Sequence, residues 1–174
     1  MPLIVFLLAI AFFSMQIVLT KRRMSSKHKM ELFLTYLIAS LVGVQGFIDF
    51  VVHIFYPAQS AALIGWKAGS PFQFEVGIAN LAFAVLGFLA IYIRKRFWIA
   101  VIIGYSVYLW GAAIGHIIQF IVNKDVAEGN IGIYFISDIV TPSLLILTYI
   151  IFVKYEPAAT TWKGKLNHIL NNNN

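Results

Sequence analysis

Long apolar runs alternate with short polar or basic breaks along the whole chain. Five runs reach the roughly 20 residues that a helix needs to cross a hydrocarbon core, at about 2–20, 31–56, 72–93, 97–122 and 131–153. The pattern predicts an all-α, polytopic membrane bundle of five transmembrane helices filling 1–156, followed by a polar tail over 157–174. The first run has no basic leader and no small-residue cleavage motif, and it ends directly in Lys21-Arg22-Arg23. It therefore reads as a retained span and not as a signal peptide. The break at 94–96 is short enough to force the third and fourth helices into an antiparallel hairpin. A mildly apolar stretch at 58–66 is too short to span and is expected to lie at the interface, over the mouth of the bundle.

Composition and charge fix the solvent and the orientation. The 174 residues are 60% hydrophobic and only 11% charged, with a mean hydropathy of +0.84, whereas soluble domains are about 25% charged. Of the Lys and Arg residues, eleven fall in breaks on one side and only Lys67 and Lys124 on the other. Basic residues accumulate on the cytoplasmic face, so the N-terminus is expected outside and the C-terminal tail in the cytoplasm. The net charge of +6 then suits anionic lipid headgroups, and no nucleic-acid partner is implied. Cysteine is absent, which excludes disulfides, thiolate metal sites and cysteine nucleophiles.

Against this apolar background the polar residues inside the spans stand out. At about 1.5 Å per residue, Asp49, His53, Asn80, His116, Gln119 and Asp138 all fall in the outer half of the bilayer. Glu75 lies one turn inside the third span, which Ser70, Pro71 and Gln73 open with a capping-box pattern. On its own, Glu75 reads as an acid favoured by a helix N-terminus. Gln45, Asp49 and His53 recur every four residues and share one stripe. Pro142, four residues after Asp138, removes the donor for the Asp138 carbonyl and should bend the fifth helix. Ionisable groups at membrane depth normally face the bundle interior and pair, so these helices are expected to pool them in one nest. Small residues at Gly77, Ala84 and Gly87 and at Gly104, Gly111 and Gly115 would let spans three and four approach, bringing Asn80 near His116.

Several motifs together carry a resemblance. Gly65-Trp66 with SPFQFEVGIAN (70–80), Phe97-Trp98, LWGAAIGHI (109–117), GNIG (129–132) and SDIVTP (137–142) resemble a family of small bacterial multi-span membrane proteins of unknown function. The resemblance covers about 65–147. It implies a bacterial cytoplasmic (inner) membrane protein and marks Glu75, Asn80, His116, Asn130 and Asp138 as positions of interest, without supplying a reaction.

The residue types allow several chemistries. Asp49, His53, Glu75, His116 and Asp138 could ligate zinc, iron or manganese, with Gln45, Asn80, Gln119 and Asn130 as polar pocket residues. An ion with an open position would make the protein a small membrane enzyme. Carboxylates and histidines inside a bundle also suit a proton relay or transport, although the inner half is almost purely apolar. Heme between His53 and His116 is a weaker alternative, because the acids suit an apolar macrocycle poorly. The remaining reading is an accessory subunit, with other membrane subunits or further copies of itself as partners and a polar layer of interhelical hydrogen bonds. No hydrolase signature, phosphate loop or dinucleotide fingerprint is present.

Overall fold

The computed structural model describes residues 2–20 and 24–155. The tail expected over 157–174, which holds Trp162, Lys163 and Lys165, and the basic cluster at 21–23 lie outside the described residues. Within them the chain is all-α: α1 (Pro2–Leu19), α2 (Ser26–Phe55), a short α3 (Pro57–Leu63), α4 (Phe72–Leu89), α5 (Arg96–Asn123) and α6 (Glu128–Lys154). Five of these, all but α3, are long and apolar enough to cross a membrane. The expected spans correspond to them one for one. The stretch over 58–66 falls largely on α3.

Two irregularities were not legible in the hydrophobic pattern. α2 is interrupted by a π-helical segment, Ile38–Val44, directly before Gln45. A π-turn advances each side chain by less rotation than an α-turn, so it resets the face presented by Gln45 and Asp49. α6 opens with one turn, Glu128–Ile131, breaks at Gly132 and resumes as Ile133–Lys154, running on through a fully buried Pro142.

The packing partner of α4 differs from the one expected. Its small-residue stripe faces α2, where a Cβ on Gly87 would stand 2.3 Å from the Gly43 amide nitrogen and one on Gly46 3.0 Å from the Asn80 carbonyl. Backbones this close need glycine, which is how helices gain contact where apolar side chains are no better off together than in lipid. α4 and α5 are sequence neighbours, yet they meet mainly through rings: Phe83 against Tyr105 and Tyr108, at 5.2 and 5.1 Å. Gly111 and Gly115 of α5 meet nothing within 4 Å. The chief partner of α5 is α6.

The half of the bundle near the α4–α5 turn is sealed by apolar packing among Leu34, Leu37, Trp98, Val101, Leu145 and Phe152. Trp98 donates its indole N–H to the Ala90 carbonyl at 2.8 Å, and Arg94 pairs with Glu31 at 3.4 Å. The buried polar groups that follow belong mostly to the other half.

Candidate functional site

Three polar assemblies occupy that half, in place of the single nest expected. The first is a cavity of about 50 Å³ between α1, α2, α5 and α6, whose lining includes Gln45, Asp49, Tyr105, Tyr134, Ser137, Asp138 and Thr141. The four-residue spacing of α2 does what helical geometry requires, and Gln45 Nε2 donates to Asp49 Oδ1 at 2.8 Å. The amide oxygen of Gln45 is buried and has no partner. Asp49 and Asp138, from two different spans, therefore face one small space together with an unspent acceptor. That volume accommodates a water or a single ion but no organic molecule.

The second assembly abuts the first. His116 on α5 stands with Nδ1 2.7 Å from Asn130 Oδ1 and Nε2 3.6 Å from Asp138 Oδ2. Asn130 is completely buried on the opening turn of α6, and its amide nitrogen donates to the carbonyls of Asp125 and His116 at 2.9 and 3.3 Å. With its NH₂ committed, Oδ1 must accept, so His116 carries a proton on Nδ1. The imidazole orientation is thereby set, and Nε2 is the nitrogen directed at Asp138. The structure thus brings Asn130, His116 and Asp138 together. Sequence reasoning did not supply the order in which they connect, because the break at Gly132 that folds Asn130 back has no signal beyond the glycine itself.

The third assembly removes His53 from the cavity. Its Nδ1 lies 2.5 Å from Gln73 Oε1 and 3.2 Å from Ser60 Oγ, which ties α2 to α3 and α4. The capping box expected here does not form: the helix starts at Phe72 with Pro71 as its cap residue, Ser70 Oγ accepts from the Phe72 amide at 3.2 Å, and the buried Gln73 turns inward to His53. Glu75 is exposed in the first turn of α4 and belongs to none of the three assemblies. Its position is the one that the helix N-terminus alone explains. Asn80 is buried against α2, donates to the Val76 carbonyl at 3.0 Å and shares a side-chain hydrogen bond with Tyr108, so it does not meet His116. Gln119 bonds Asn123 near the α5 terminus and lies outside the two-carboxyl cavity.

Asp49, His53, Glu75, His116 and Asp138 thus do not converge as one ligand shell. Among the described residues no group of three or more His, Asp or Glu side chains is arranged to hold a metal ion. Tyr105, Tyr134, Ser137 and Thr141 were missed as cavity residues. On the sequence they are ordinary membrane-helix residues; helical spacing beside Asp138 could have suggested Tyr134, Ser137 and Thr141, whereas Tyr105 comes from α5 and carried no such signal.

Five apolar spans with part-buried acids and imidazoles gathered in one half make this a small multi-span membrane protein. The chain belongs to the family of unknown function DUF6790, whose model matches residues 1–158. No curated protein and no solved structure matches it.

Proposed function

We propose that this protein holds and exchanges protons at the two-carboxyl cavity, in the cytoplasmic membrane of a bacterium, with the cavity toward the non-cytoplasmic side. The observation that carries the reading is the line of groups Asn130–His116–Asp138, which ends in a cavity that Asp49 also faces. The orientation rests on Lys29 and Lys154, at the opposite end of their helices, and on Arg94 in the α4–α5 turn at that same end. The bacterial membrane rests on the motif resemblance.

The proton step is simple. An imidazolium at His116 gives its Nε2 proton to the Asp138 carboxylate, leaving a neutral ring whose Nδ1–H stays on Asn130 and a carboxylic acid facing the cavity. The separation of 3.6 Å is longer than a hydrogen bond, so the step proceeds through one water or a small closing of α5 on α6. The apolar seal in the other half favours exchange with one side over conduction.

A specific observation favours a second reading, a bound divalent cation. The unpartnered Gln45 Oε1 stands beside two carboxyl groups in a space of ionic size. An all-oxygen set suits manganese better than zinc or iron, and an open coordination position there would supply the Lewis acid of a membrane enzyme. Heme receives no comparable support, since His116 Nε2 is directed at Asp138. Infrared titration in detergent, combined with elemental analysis, separates the readings. A carboxylic-acid carbonyl band that titrates, and is diminished in Asp138→Asn and Asp49→Asn, supports proton exchange. Stoichiometric metal lost in the same variants replaces it with the cation. Neither signal in a folded protein leaves only a packing role.

A further inference from the structure

We infer a second binding site, at the end of the bundle beyond His116, for a small zwitterion that carries a primary ammonium and an anionic carboxylate or phosphate. A cavity of about 400 Å³ opens there, lined by Gly65, Trp66, Lys67, Gln119, Asn123 and Asp125. It is separate from the two-carboxyl cavity and shares no residue with it.

Its chemistry is unspent at both signs. Asp125 Oδ1 accepts from the Ala127 amide at 3.0 Å, but Oδ2 is buried without a partner. The indole N–H of Trp66 is likewise buried without an acceptor. Unmade hydrogen bonds of this kind cost about 1–3 kcal/mol each, so two of them on residues that line one cavity point to a ligand that supplies both a donor and an acceptor once the side chains turn toward it. Lys67 is exposed beside them and makes no ion pair among the described residues. The arrangement is held by the backbone. Gly65 sits at φ +75°, and a Cβ there would stand 2.3 Å from Asp125 Oδ1, so only glycine lets the carboxylate approach.

The occupant follows from these groups. An anionic oxygen group takes the Trp66 N–H and the Lys67 ammonium, and a donor must answer Asp125 Oδ2. A primary ammonium supplies N–H donors and a quaternary one supplies none. A simple anion would leave Asp125 unmet and a simple cation would leave Lys67 and Trp66 unmet. Phosphoethanolamine carries both charges and is small enough for the cavity, whether as a free solute or as the headgroup of a lipid at the membrane boundary. Trp66 also faces His116, with ring centroids 6.2 Å apart, and the Asp125 carbonyl accepts from Asn130. A bound zwitterion would therefore touch two residues that adjoin the His116–Asn130 pair.

The test is tryptophan fluorescence of the purified full chain, with Trp66→Phe identifying the responding indole. The expected result is saturable binding of O-phosphoethanolamine, or a response in nanodiscs containing phosphatidylethanolamine, at least about tenfold stronger than with phosphocholine, glycerophosphate or ethanolamine alone. The solute arm and the nanodisc arm distinguish the two sources. Asp125→Asn and the surface variant Lys67→Gln should each weaken binding about tenfold or more. Equal binding of phosphocholine, unchanged affinity in Lys67→Gln, or no binding in either arm would overturn the assignment.

Discussion

The contact between α2 and α4 makes a sharp test, because a single methyl group should separate two helices. Replacing Gly87 by alanine places a Cβ 2.3 Å from the Gly43 nitrogen and 2.7 Å from its Cα. Ordinary contact begins at 3.4 Å, so the faces must part by about 1 Å, and both obstructing atoms are backbone. A gap of that size forfeits a quarter to a half of the dispersion well at each neighbouring contact, and overpacking of this kind typically costs about 1–3 kcal/mol. The gain in helix propensity over glycine is about 1 kcal/mol and offsets only part of the loss. A net loss of about 1 kcal/mol is expected, or roughly 2–4 °C in Tm for a domain of this size. Gly111→Ala is the matched control, since nothing lies within 4 Å of its Cβ, and it should be neutral or stabilising. Thermal unfolding of both variants in one detergent decides the matter. Equal losses, or an undisturbed Gly87→Ala protein, would show that the close α2–α4 approach is wrong.

Three other variants have defined outcomes. Asn130→Ala removes three hydrogen bonds from a fully buried site. With membrane hydrogen bonds averaging about 0.6 kcal/mol, it should lower stability by about 2 kcal/mol and release the His116 tautomer, visible as altered imidazole ¹⁵N shifts. Glu75→Gln should leave stability within about 0.5 kcal/mol and cause no loss of the infrared acid band, because the side chain is exposed away from the cavity. Trp98→Phe strands the Ala90 carbonyl and should cost about 1–3 kcal/mol in denaturant unfolding, without affecting the band.

The span pattern was legible because hydrophobic length is a global constraint that local detail cannot override. The polar layer in one half of the bundle was also partly visible: Gln45 and Asp49 pair at the helical repeat, and the structure brings His116, Asn130 and Asp138 together. What failed was the assumption that every polar group at one depth meets every other. His53 and Gln73 satisfy each other across α2 and α4, and Glu75 turns outward, since one residue of helical rotation decides which side of a span a group occupies. The π-segment before Gln45 changes that rotation and leaves no trace in hydropathy. Which helices touch was also ambiguous, because the small-residue stripes of α4 and α5 look alike while only the first has a backbone against it.

The most direct measurement uses the absence of cysteine from the chain. Paired variants Asp49→Cys with Asp138→Cys, treated with a short bifunctional thiol reagent in native membranes, should crosslink within one molecule. The pair Glu75→Cys with Asp138→Cys should not. Failure of the first pair in folded protein, or equal crosslinking of both, would contradict a shared cavity between α2 and α6.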